Sequence, residues 1–308
     1  MKWPSCLYLL LVLLNACGHH NMLAEIHKLD HYPSASGMEM LNGKIYLIGD
    51  DATQLLVLDS SLHPVDSVKL FSSTVPRIPK KEKADLESIV LTEDNQLLLV
   101  GSGSGTPYRN AGLLFNTASR QLDSIRLDRF YSRLSLYNIR ELNIEGACAI
   151  PGSILLANRG SKGYPKNQLI ITRPQFWTDQ DNVSITTLFL GQGGSPDQFS
   201  GVSGLCYSKL SDRLIATVST EDTRNTMDDG VIGKSYLWIF NTISAKRRWS
   251  AINPDQVIDL EAMDYRFKQQ KIESVCILRE DSRFLHLLLA ADNDDGSSTL
   301  FRVTIEKK

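Results

Sequence analysis

The segment that decides the fold is Asp85-Leu86-Glu87-Ser88-Ile89-Val90-Leu91, a polar turn, then Gln96-Leu97-Leu98-Leu99-Val100-Gly101. A short acidic phrase opens one apolar run, and a second apolar run ends on glycine. The phrase recurs as Gly37-Met38-Glu39-Met40, Asn143-Ile144-Glu145-Gly146-Ala147, Gly201-Val202-Ser203-Gly204-Leu205 and Lys271-Ile272-Glu273-Ser274-Val275. Successive Glu or Ser positions are 48, 58, 58 and 70 residues apart. Self-similarity at this spacing marks a repeat architecture.

Each phrase leads into a second apolar run, at 44–49, 96–101, 154–158, 213–219 and 285–291. A third follows at 54–59, 112–116, 168–172, 235–241 and 298–303, and four repeats add a further segment at 66–70, 123–127, 184–190 and 256–260. The runs are short, rich in Leu, Ile and Val, and separated by Gly, Asp, Asn and Ser, which is strand and turn chemistry. A sustained helical stripe is missing, so helix content is predicted to be low. Four short strands per repeat predict an all-β fold, a β-propeller of five blades. A sixth blade would have to lie in 241–270, where Asp259-Leu260-Glu261-Ala262 partly echoes the phrase. The last repeat stops after its third strand. Leu23–Asp30 resembles Leu122–Asp128 and is predicted to supply the missing strand, closing the ring and removing exposed sheet edges.

Composition narrows the function. The chain has 308 residues, 42% hydrophobic and 22% charged, as expected of a globular protein. Its net charge is −2, without the basic excess of a general nucleic-acid binder. The N-terminus carries Lys2 and then the apolar run Leu7–Leu14, too short to span a bilayer and suited to a signal peptide. The run ends in Leu14-Asn15-Ala16-Cys17, which resembles a bacterial lipobox. Residues 1–16 are therefore predicted to be a lipoprotein signal peptide, 17–22 a tether lipidated at Cys17, and 23–308 a single propeller domain. Gly18 is not the aspartate of inner-membrane retention, so the predicted location is the bacterial cell envelope at the outer membrane, with the lipid as the only membrane contact.

In a propeller, the loop entering each innermost strand and the loop after the second strand share one face. Glu39, Glu87, Glu145 and Glu273 are therefore predicted to ring one channel mouth, with Ser203 in the fifth place. Around them should stand Asp50, Arg109, Asn158, Arg159, Lys162, Glu221, Asp222, Arg224 and Asp292. Carboxylates about 10 Å apart repel by roughly 1.7 kcal/mol at an effective dielectric of 20. One compensator is a hard cation such as calcium, held by Glu39, Glu87, Glu145, Glu273, Asp50 and Asp292. The other is internal pairing with arginine and lysine. A third reading is architectural: the repeated Glu accepts backbone N–H bonds between blades. Cys148, Cys206 and Cys276 share one repeat position, with Val90 and Asn42 as the other equivalents, and a position that alternates Cys with Val reads as a buried core slot. Residues 222–234 form an insertion predicted to hang over the mouth, where long loops tend to carry recognition.

The Leu-Glu-Ser and Ile-Glu-Gly phrases, Asn158-Arg159-Gly160 and the lipobox together resemble the esterase-like, phytase-like propeller proteins. The resemblance is closest to a Bacteroidota lipoprotein group of unknown function and covers roughly residues 30–308. It implies acidic calcium ligands at the channel mouth, namely Glu39, Glu87, Glu145 and Glu273, from which Ser203 departs. The expected function is binding of a small-molecule or protein ligand at the mouth. A metal-dependent phosphate- or ester-bond hydrolase and an envelope interaction scaffold are the alternatives.

Overall fold

A computed structural model describes residues 21–105, 107–191, 199–221, 232–246 and 248–308, with the side chains of Glu221 and Ile232 left out. Cys17, Asp222 and Arg224, with the leader 1–16 and most of the tether, lie outside the described residues. The first strand, β1 (Met22–Leu29), belongs to the last blade. Blade one is β2 (Ala35–Leu41), β3 (Lys44–Gly49), β4 (Gln54–Leu58) and β5 (Pro64–Lys69). Blade two is β6 (Leu86–Leu91), β7 (Gln96–Gly101), β8 (Ala111–Asn116) and β9 (Leu122–Arg126). Blade three is β10 (Ile144–Ile150), β11 (Ser153–Asn158), β12 (Asn167–Thr172) and β13 (Ile185–Leu190). Blade four contains β14 (Ser200–Ser208), β15 (Arg213–Glu221) and β16 (Ile232–Asn241). The chain then detours through β17 (Ala251–Ile252), which pairs parallel with β13, before β18 (Gln256–Asp259) completes blade four. Blade five is β19 (Lys271–Glu280), β20 (Phe284–Asp292), β21 (Ser298–Glu306) and, outermost, β1.

The five-bladed all-β architecture and the strand borrowed from the N-terminus match the reading of the repeats; the fold is 53% strand and 9% helical. The 241–270 segment holds no sixth blade. It is spent on β17, β18 and the short helix α2 (Leu260–Met263) that the partial echo Asp259–Ala262 encodes. The longest helix among the described residues, α1 (Asp128–Leu134) by position in the chain, buries Phe130, Tyr131 and Leu134, and Tyr131 Oη donates to the Gly101 carbonyl at 2.6 Å. Alternation along the strands sends apolar side chains to both faces of each blade, where they pack in five inter-blade clusters. Burying each such Leu, Ile or Phe is worth roughly 1.5–3 kcal/mol. The innermost strands β2, β6, β10, β14 and β19 line the axis.

A bulge interrupts every innermost strand near its start. The unpaired residue is Ser36, Glu87, Glu145, Ser203 and Glu273 in turn. This register corrects the alignment of the first repeat. Ser36, not Glu39, is the equivalent of the other Glu and Ser residues. Glu39 stands three residues further on, in the slot of Val90, Cys148, Cys206 and Cys276, which the sequence reading had assigned to Asn42. Gly37-Met38-Glu39 imitated the phrase, but the unpaired residue fell earlier.

Candidate functional site

Past the bulges the inner strands close on one another. A Cβ on Gly146 would lie 2.9 Å from the Gly204 carbonyl carbon, so only glycine permits that approach. The space left on the axis, beside Ser36, Glu87, Glu145 and Ser274, is about 10 Å³, room for about one water.

The mouth is densely charged. Asp50, on the loop after β3, Asp85, just before β6, and Glu87 each offer a carboxylate oxygen, and the three oxygens lie within 4.8 Å of one another. Lys83 threads between the first two: its Nζ is 2.7 Å from Asp85 Oδ1 and also pairs with Asp50 Oδ2. Burial opposes its charge, but Asp50, Asp85 and Glu87 hold the ammonium above its ordinary range. Arg109 Nη1 donates to Asp85 Oδ2 at 2.8 Å and to Ser104 Oγ at 2.7 Å. Asp85 adopts a left-handed backbone, φ 54°, as does Ser34 at the equivalent place in blade one, φ 50°. Such a conformation costs a non-glycine residue roughly 1–2 kcal/mol and survives where the surroundings fix it; here Lys83, Arg109 and Ser102 hold the Asp85 side chain.

Glu87 is pushed well above the usual carboxylate range by burial first, then by Glu145, Asp85 and Asp50. Burial likewise pushes Glu145 up to about 7, against the pull of Arg159. Glu145 takes a hydrogen bond from Asn143 Nδ2 at 2.6 Å, and Arg159 Nη1 lies 3.9 Å from its other oxygen. Glu273 is ion-paired with Lys271, Nζ to Oε1 2.9 Å, yet neither of its buried oxygens receives a well-directed hydrogen bond. Asp292 is pushed up to about 7 by burial, with Asp294 and Asp50 adding repulsion. Asp51 pairs with Arg77, Nε to Oδ2 2.7 Å, while Asp50 Oδ1 is buried without a hydrogen-bond partner among the described residues.

Of the residues singled out by sequence, Glu87, Glu145, Glu273, Asp50, Asp292, Arg109 and Arg159 meet at this mouth. Glu39 does not. It accepts the N–H groups of Met40 and Leu91, and burial pushes it up to about 7. Asn158 is a latch: its Oδ1 accepts the Asn143 N–H at 2.8 Å and its Nδ2 donates to the Glu141 carbonyl at 3.0 Å. Lys162 is half-buried on the loop after β11. Cys148 and Cys276 are buried free thiols and Cys206 is half-buried, all raised by burial, in keeping with core slots. The sequence reading missed Lys83, Asp85, Arg77 and Lys271. The signal for two of them was present: Ser34, Asp85, Asn143 and Lys271 stand two residues before four of the five bulges, a recurrent polar position that Gly201 breaks in blade four.

Fold and site together define a five-bladed β-propeller with a paired acidic and basic channel mouth. The chain belongs to the Family of unknown function (DUF6929), whose model matches residues 31–305. No curated protein matches it in sequence. Among solved structures it is similar to glutaminyl cyclase of Myxococcus xanthus, at 11% identity over 94% of this chain and 97% of that one, with a TM-score of 0.56. It also matches virginiamycin B lyase of Staphylococcus aureus, at 10% identity over 91% of this chain and 99% of that one, TM-score 0.44. At these identities the likeness to the cyclase is one of fold.

Proposed function

We propose that this chain is a lipid-anchored protein of the bacterial outer membrane whose channel mouth binds a ligand together with a hard divalent cation. The observation that carries the reading is the convergence of Asp50, Asp85 and Glu87 oxygens within 4.8 Å. The donor set fits such a cation. All three ligands are oxygens, which calcium prefers in sets of six to eight; Asp50 Oδ1 is buried without a donor among the described residues. When bound, calcium would supply the positive charge that Glu87 and its neighbours lack. Lys83 holds that place in its absence and would swing toward solvent. Arg109, Arg159 and Lys271 then face the anionic part of a ligand. The anchor reading rests on Leu14-Asn15-Ala16-Cys17. At no more than about 3.6 Å per residue, the five steps from Cys17 to Met22 keep blade five within about 20 Å of the lipid.

Calorimetric titration of calcium chloride into the chain beginning at Cys17 tests the mouth. Saturable binding is expected, with a raised melting temperature, and both effects should be lost in Glu87→Gln and Asp85→Asn. A folded protein with no calcium response refutes the cation. Cys17→Ser should move the protein from the membrane fraction to the soluble one; unchanged retention refutes the anchor.

A further inference from the structure

A second candidate site lies away from the axis and does not depend on the reading of the mouth. Where blade three meets blade four, an open cleft of about 450 Å³ is lined by Gly191, Ser200, Tyr236, Trp238, Asn253 and Val257, with Pro254 at its edge. That volume falls in the range of small-molecule sites. Tyr236 and Trp238 are two residues apart on β16, so both rings rise from one face of the strand, roughly 7 Å apart. Both are only half-buried. Their inner edges pack on the core between blades three and four, and Trp238 meets Phe240 edge-on at 6.4 Å. The core thus fixes two aromatic platforms whose outer parts are left uncovered by the described residues.

Gly191 keeps the cleft clear. Its φ is +76°, and a Cβ there would lie 2.4 Å from Trp238 Cζ3. Any other residue would displace the indole. The polar groups at the rim are the Ser200 hydroxyl and the Asn253 amide, and the Tyr236 hydroxyl makes no hydrogen bond among the described residues. Among the described residues, no lining residue carries a charge. The nearest charged pair, Lys234 and Asp259, is closed on itself at 2.8 Å.

An ionic ligand would find no counter-charge among the described residues of this lining. A purely apolar ligand would cover the hydroxyl and amide groups without pairing them, which costs free energy. A sugar ring suits both demands: its C–H face lies flat on an aromatic ring, and its hydroxyls form an uncharged hydrogen-bonding edge. We propose that the cleft binds an uncharged oligosaccharide, one ring stacked on Tyr236 and Trp238 and its hydroxyls bonded to Ser200 and Asn253.

The test is titration of the mature chain with maltotetraose, cellotetraose and chitotetraose, followed by tryptophan fluorescence and saturation-transfer NMR, with and without calcium. At least one should bind saturably and equally in both conditions, which separates this site from the mouth. Asn253→Ala and Tyr236→Ala should weaken that binding roughly tenfold, as loss of a central contact does. Asn253 is exposed and outside every sheet ladder, so its variant is expected to fold. Failure of all three sugars at millimolar concentration to bind the folded parent would overturn the proposal. So would binding that both variants leave unchanged, or binding that requires calcium.

Discussion

Ser203 Oγ donates to the carbonyl oxygen of Ile272 at 2.6 Å, tying the innermost strand of blade four to that of blade five. Ser36 does the same for blades one and two, donating to the Leu86 carbonyl at 2.6 Å. Both serines are bulged residues. At the other three bulges the residue is Glu87, Glu145 or Glu273, which when ionised has no proton to give a neighbouring carbonyl. The same backbone position is thus a fastener in two blades and a carboxyl group at the mouth in three.

This division predicts opposite effects of two small substitutions. Ser203→Ala should cost about 1–2 kcal/mol, because the buried Ile272 carbonyl loses the Ser203 donor. Glu87→Gln should leave stability unchanged or raise it, since it replaces a buried carboxyl group whose ionisation burial, Glu145, Asp85 and Asp50 all oppose with a neutral amide of the same size. Urea denaturation of both variants decides. A silent serine with a costly glutamate would mean that the glutamates, not the serines, hold the blades together.

Acid should stabilise the ligand-free protein over part of its range. Glu39, Glu145 and Asp292 are all pushed up to about 7, each chiefly by burial. A carboxyl group whose folded value exceeds its unfolded one binds its proton more tightly when folded. It favours folding below the unfolded value, near 4, and loses that contribution as pH rises toward 7. Unfolding free energy should therefore fall between about pH 4.5 and 7.5 by up to about 3 kcal/mol per group. Glu145→Gln should flatten the profile, which denaturation at stepped pH would reveal. Stability that climbs over this window instead would show that these groups are ionised and paired in the native state.

How much of this was legible in the chain depended on whether a feature is repeated or singular. Strand runs such as 96–101 and 285–291 recur with the phrase, and recurrence made the blades and the borrowed strand readable. Glu39 was misplaced because a bulge is defined by pairing across two strands, so Ser36 and Glu39 compete on equal terms until the register is known. Lys83 went unseen because its role comes from a loop that reaches Asp50 and Asp85 only in the closed ring. The detour through β17 was hidden for a similar reason: two residues, Ala251 and Ile252, carry no strand signal without β13 beside them.

Removing the internal cation should expose the site's dependence on counter-charge. Lys83 is 10% exposed and Asp85 5%, so the pair is sheltered from solvent. Lys83→Met leaves Asp50 and Asp85 without their ammonium, and breaking a buried pair in this way typically costs 3–5 kcal/mol. If the mouth accepts a divalent cation, calcium should recover much of that loss in the variant, and more than it adds to the parent. Melting temperatures with and without calcium would show the difference. Recovery no greater than in the parent would place the cation elsewhere.

Ring closure offers the last test. β1 pairs with β21 along its length, from Met22 opposite Thr304 to Leu29 opposite Ser298. Asn21 Oδ1 accepts the Glu306 N–H at 2.9 Å at one end. At the other, Ser298 Oγ accepts the Ala35 N–H at 3.0 Å and donates to the Tyr32 carbonyl at 2.8 Å, joining blade five to the first strand of blade one. Only Leu23 and Leu29 of β1 are buried, each worth roughly 1.5–3 kcal/mol. Deleting residues 21–29 should therefore cost about 3–6 kcal/mol and leave β21 as an open edge prone to association. A synthetic peptide spanning residues 21–30, added in trans, should pair with that edge as strand addition does elsewhere. Restored melting temperature and loss of concentration-dependent aggregation would follow. A truncated protein as stable as the parent, and indifferent to the peptide, would mean that the ring closes through blades one and five without the borrowed strand.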